Sequence, residues 1–249
     1  MNISVQPERF AAILGSVIAT LAGLHALVTI IWIEWRHALF GINRLFNLGT
    51  EASIPTYFSA FQLLLAAALL SIISRNEYKN NKPDRWRWAL LATGLLIMSV
   101  DEVAQIHDVL IADIVRPIVR GLDGFSHERW YYAVFGQAPW LIVYLPLVGA
   151  LLAVYVPFLR KLPRRYLILF VFAGTVFLGG AMGAEMIEAY LISHDIRGYI
   201  LQANRLIEET CEMVGILIFI YALLKYIYDQ RIVLYVSIDP ELHSRTAQK

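Results

Sequence analysis

A chain of 249 residues that is 58% hydrophobic and only 16% charged, with a mean hydropathy of +0.58, departs from water-soluble domains, in which about a quarter of residues are charged. It reads as an integral membrane protein. With 21 Lys and Arg against 20 Asp and Glu there is no basic excess to call for a nucleic-acid partner, and the single cysteine, Cys211, excludes an internal disulfide, a CxxC pair and a cysteine-based zinc site.

A membrane-spanning helix needs about 20 mostly apolar residues. Six segments meet that length: Phe10 to Ile33, Ala52 to Ile73, Trp86 to Ile111, Pro139 to Phe158, Tyr166 to Ile192 and Ile200 to Tyr228. The first follows Glu8 and Arg9 and is longer than the apolar stretch of about 7–15 residues in a signal peptide, so it reads as a retained helix. Between the third and fourth segments, Pro117 to Ala138 carries Pro, Gly, His127 and several aromatic residues. It reads as a loop, either lying on the membrane over the bundle or a plain connector. After Tyr228, Arg231 to Ile238 alternates weakly between apolar and polar; an ordered tail is favoured over a short strand. Residues 1–230 thus form one all-α domain of six transmembrane helices, and 231–249 a short cytoplasmic tail.

Alternate connections differ in basic charge. Arg9, the Arg75 to Arg87 region, Arg160 to Arg165 and the C-terminal part together hold 14 of the 21 basic residues. The positive-inside rule therefore puts both termini of this cell-membrane protein in the cytoplasm. Trp35, Trp86, Trp88, Trp130 and Trp140 fall at predicted span ends, where indole rings favour the water–lipid boundary.

Acids inside apolar helices are costly and default to a functional reading. Here they are Glu51 at the start of helix two, Asp101, Glu102 and Asp108 in helix three, Glu185 and Glu188 in helix five, and Glu208, Glu209 and Glu212 in helix six. His25, Gln105, His107, Asn204 and Arg205 accompany them. At 1.5 Å per residue, Asp101 lies roughly 22 Å along helix three and Glu185 roughly 28 Å along helix five, while Glu208 to Glu212 lie roughly 12 to 18 Å into helix six. Five helices then supply polar groups in the outer half of the membrane, and helix four supplies none. At 100° per residue, Arg205, Glu208, Glu209 and Glu212 form one stripe. Gly179 to Gly183 has a GxxxG spacing, read as close helix packing.

Three uses are open to this cluster. As a structural network, Arg205 pairs with Glu208 or Glu209 and the remaining groups fix helix register. One Arg and two His do not neutralise nine acids, however, so protons or cations must sit among them. As a metal-dependent enzyme, Glu51, Asp101, His107, Asp108, Glu185, Glu188, Glu208, Glu209 and Glu212 are candidate ligands for one or two divalent ions, and carboxylate with His suits zinc, iron or manganese. The two Glu-x-x-His pairs of a di-iron bundle are missing. As a proton- or cation-coupled carrier or channel, the chain is nearly all apolar in its inner half, as in Phe61 to Ile73 and Ile216 to Leu224, so no inner half-path is visible, and it shows no inverted repeat.

The strings SVDEVAQIHD at Ser99 to Asp108 and EETCEMVG at Glu208 to Gly215 resemble an uncharacterised bacterial family of multi-pass membrane proteins, a resemblance that brings no activity with it. The pair Asp101 and Glu102 is similar to one in alkaline-ceramidase-like hydrolases. Those use a late His-x-x-x-His zinc pair, whereas after His127 this chain has only His194 and His243, and no residue role is carried over. The expectation is a metal-dependent enzyme acting on a membrane lipid or other membrane-dissolved small molecule, with Asp101, Glu102 and His107 catalytic.

Overall fold

The computed structural model describes residues 6–35, 41–50, 52–121 and 130–232, with backbone alone at 108, 119, 120 and 130–133. Among these residues the secondary structure is entirely helical: α1 (Pro7–Trp35), α2 (Ile42–Phe46), α3 (Ile54–Lys79), α4 (Arg85–Ala104), a π turn (Ile106–Ile111), α5 (Ala112–Arg120), α6 (Trp130–Gln137), α7 (Leu141–Leu159), α8 (Arg164–Leu178), a second π turn (Gly179–Ala184), α9 (Glu185–Ser193) and α10 (Tyr199–Asp229). Five continuous helical stretches are long and apolar enough to cross a membrane. Counting α4 and the segment after it, bent by 80°, as one gives six.

Local chemistry sets the helix starts. Ser53 caps α3 by accepting from the Thr56 amide, and Pro55 follows in the first turn, where a missing N–H costs nothing. Pro163 precedes α8, and Gly198, at φ 70°, turns the chain into α10. Asn81, at φ 52°, closes the tight link from α3 to α4. Arg231 and Ile232 end α10 with bonds back to Tyr228 and Ile227; the remainder of the weakly alternating tail lies outside the described residues.

The largest core lies where α3, α4, α8 and α10 meet and includes Leu70, Ile73, Trp88, Tyr166, Ile220 and Leu223. Trp88 is 1% exposed, its ring edge-on to Phe158 at 5.0 Å. The indole faces the protein core: an indole one turn inside a helix is drawn inward when aromatic partners surround it. Trp35 and Trp86 are exposed, whereas Trp140 is buried.

Ionic contacts gather around this core at one end of the bundle. Lys161 reaches Asp84 at 3.1 Å, Arg87 pairs with Asp84 and Arg165 meets Asp229 at 3.2 Å. We call this the basic end. The opposite, acidic end holds the C-terminus of α4, both π turns, α9 and the first turns of α10. α7 stands apart in the middle and is tied at both ends: Tyr155 donates to the Arg87 carbonyl at 2.6 Å, and Tyr144 donates to Asp101 at 3.3 Å. The apolar outward faces of α1 and α7, exposed at Ile13, Leu27, Leu147 and Leu152, suit lipid because helices satisfy their own backbone groups.

Candidate functional site

Helix three does not run unbroken to Ile111 as expected. α4 ends at Gln105, which adopts a left-handed conformation at φ 56° and ψ 39°, and the chain resumes as a π turn. The break brings His107 back over the preceding turn. Asp101 accepts from the His107 backbone amide at Oδ1, 2.9 Å, and its Oδ2 lies 3.1 Å from His107 Nδ1. Tyr144 gives Oδ2 a further hydrogen bond. A carboxylate accepts and does not donate, so the imidazole donates through Nδ1, and in its neutral form carries its lone pair on Nε2. Trp140 stands edge-on to both His107 and Tyr144, with ring centroids 5.3 Å apart in each case.

Helix five is also interrupted. Its π turn, Gly179–Ala184, packs on α10 most tightly at Gly180: a Cβ there would lie 2.7 Å from the Glu208 carbonyl and 2.9 Å from Cys211 Cβ, whereas Gly179 and Gly183 face open space. The close approach expected from the GxxxG spacing is therefore made by the glycine between its two ends. Asn204 donates to the Ala184 carbonyl at 2.9 Å, serving a backbone acceptor where the π turn gives way to α9.

These two π turns, a form that recurs at functional sites, set carboxyl groups from three helices together. Arg205 holds Glu188 through Nε and Nη2, the shortest contact being 2.7 Å. It thus pairs across helices, and not with Glu208 or Glu209 on its own stripe as the structural reading supposed. The Arg205 stem rests on Gly49, where a Cβ would meet Arg205 Cδ at 2.6 Å. Glu208 lies in the field of Glu185, Glu188 and Glu212. Glu212 in turn lies in the field of Glu102, Glu185 and Glu209. Like charges so close together are held apart by protons or by cations. All of these acids are half-buried.

His25 sits within reach of the Arg205 charge but bonds to backbone and not to a carboxylate. It is 1% exposed and accepts from the Leu48 amide at 3.0 Å, tying the link after α2 to α1. Glu51 lies outside the described residues, as does the Asp108 side chain. Among the described residues no group of three or more His, Cys, Asp and Glu side chains is placed to hold a metal ion. Two of the candidates have their oxygens engaged already, those of Asp101 by His107 and Tyr144 and those of Glu188 by Arg205. The divalent-metal expectation thus finds no support in the side chains described. Sequence reasoning also missed Tyr144, because helix four offered no charged residue; a tyrosine near its start was the available signal.

With this geometry established, a comparison with protein families is decisive on kinship. The chain belongs to the DUF8692 family. That family, described as a domain of unknown function, matches residues 11–226, which takes in every element of the site. No curated protein and no solved structure matches the chain. In this chain the matched region holds an Asp–His–Tyr constellation at a helix break, beside a cluster of carboxyl groups that includes the Glu188–Arg205 pair.

Proposed function

We propose that the acidic end is an intramembrane acid–base site of an enzyme acting on a lipid or other membrane-dissolved substrate. The observation that carries this reading is the set of three hydrogen bonds on Asp101, from the His107 ring, the His107 amide and Tyr144. In this role His107 takes a proton from the substrate and returns it, and Asp101 holds the tautomer and stabilises the imidazolium. Tyr144 fixes Asp101. Glu102, next in the chain and in the field of Glu212, links the dyad to the carboxyl network as a proton reserve. By the positive-inside rule the basic end lies in the cytoplasm with both termini, and the substrate is met in the outer half of the membrane.

A second reading, proton-coupled transport, draws on the crowding of Glu185, Glu208 and Glu212, since a carrier needs a group that takes up and releases a proton. Against it stands the apolar core that fills the other half of α10, at Ile216, Ile220 and Leu223. The test uses the protein in liposomes of total bacterial membrane lipid, assayed by mass spectrometry and, separately, for proton flux under an imposed pH gradient. The enzyme reading expects at least one lipid species to be converted, with conversion lost in Asp101→Asn and His107→Ala. Proton flux that is abolished by Glu208→Gln, with no lipid converted, would replace it by the carrier.

A further inference from the structure

Between α4, α7, α8 and α10 lies a cavity of about 200 Å³ whose walls carry no charged side chain. Trp88, Phe158 and Leu159 line it near the basic end, and Leu95, Phe177 and Gly215 at its far end. It exists because α7 touches its neighbours only near its ends, and because Gly174 contributes no side chain: a Cβ there would meet nothing within 4 Å. Leu91, Leu95, Gly174 and Phe177 are half-buried, so the cavity reaches the flank of the bundle. An apolar cavity of about 150 Å³ stays dry and takes up benzene, six carbons, so one of this size suits on the order of eight carbons of a hydrocarbon chain.

Three of the helices that wall the cavity each bring two basic residues to its near end: Arg85 and Arg87 on α4, Arg160 and Lys161 after α7, and Arg164 and Arg165 on α8. Asp84 and Asp229 answer some of these charges, leaving the end net positive. Arg160, Lys161, Arg164 and Arg165 are exposed, and Leu159 of the cavity wall directly precedes Arg160. An apolar slot under a basic rim matches one kind of membrane molecule.

We propose that the cavity holds one acyl chain of an anionic glycerophospholipid whose phosphate sits on Arg160, Lys161 and Arg164. The chain tip ends beside Gly215, one turn of α10 beyond Glu212, so a bound lipid forms the apolar floor beneath the carboxyl network. This binding site stands independently of the acid–base reading, because its wall and rim share no residue with Asp101, His107 or Tyr144.

Native mass spectrometry of the full-length protein, given equal amounts of phosphatidylglycerol and phosphatidylcholine, tests the proposal. Phosphatidylglycerol should be retained about tenfold more, as expected for basic side chains at a membrane surface. Gly174→Leu, which grows into the cavity, should remove the retained lipid, and the triple Arg160→Gln, Lys161→Gln, Arg164→Gln variant should remove the preference. Leu91→Phe provides a second block should Gly174→Leu fail to fold. In parallel, phosphatidylglycerol brominated along its chain should quench Trp88 fluorescence in the unsubstituted protein, measured as the difference from Trp88→Phe, and lose that effect in the blocked variant. Equal retention of the two lipids, or retention and quenching unchanged in a folded blocked variant, would overturn it.

Discussion

Asp101 is the residue on which the polar site turns, since its two oxygens gather a ring nitrogen, a backbone amide and a phenol from two helices. Asp101→Asn replaces one accepting oxygen by a donor. His107 should then lose its fixed tautomer, seen as a change in its ring-nitrogen NMR shifts, while Tyr144→Phe should leave the tautomer in place. Unchanged shifts in Asp101→Asn would show that the imidazole is held by other groups. Arg205 carries a different weight. It is the cation that balances Glu188, with side-chain exposures of 26% and 13%, so Arg205→Gln should cost on the order of 2 kcal/mol in thermal unfolding by leaving a half-buried carboxylate unpaired. Adding Glu188→Gln should restore part of that loss, and a strictly additive double variant would mean the pair does not act as a unit.

The helices themselves are shaped for this site at two breaks. Gln105 occupies a left-handed conformation that costs a side-chain-bearing residue about 1 kcal/mol relative to glycine. Gln105→Gly should therefore hold or raise the melting temperature, and Gln105→Val should lower it; the reverse order would show that the break is not set by backbone preference. At the second break, Gly180→Val places atoms against the Glu208 carbonyl and Cys211. It should cost about 1–3 kcal/mol by overpacking, whereas Gly183→Ala, facing open space, should be nearly neutral. The spans were legible in the sequence because long apolar runs admit few other structures. The breaks were not: neither the string around Gln105 nor that around Gly180 carries a proline, and a π turn adds one residue without changing composition. The acids were legible as a group, since each stands out against an apolar background. Their pairing was not, because 100° per residue places Arg205 beside Glu208 and Glu209 yet says nothing of the Glu188 carboxylate approaching from α9.

Across the whole molecule, the chain separates two ends with different chemistry by an apolar core that includes Trp88, Tyr166 and Tyr226. The distribution of Arg and Lys predicts that reporters fused after Asn80 and Lys161 report cytoplasm and that one after Asp195 reports the outer side. A reporter after Asn80 found outside would turn the acidic end towards the cytoplasm. The central proposal is that His107, oriented by Asp101 with Tyr144 fixing that carboxylate, moves the proton of the reaction, and that this step draws on no metal ion. Its most direct test is conversion of membrane lipid by the purified protein in liposomes, measured before and after exhaustive chelation, in the unsubstituted chain and in Asp101→Asn. The account predicts conversion that survives chelation and falls by at least about a hundredfold in Asp101→Asn, the scale of a lost acid–base group. Conversion abolished by chelation and restored by zinc, iron or manganese would contradict it.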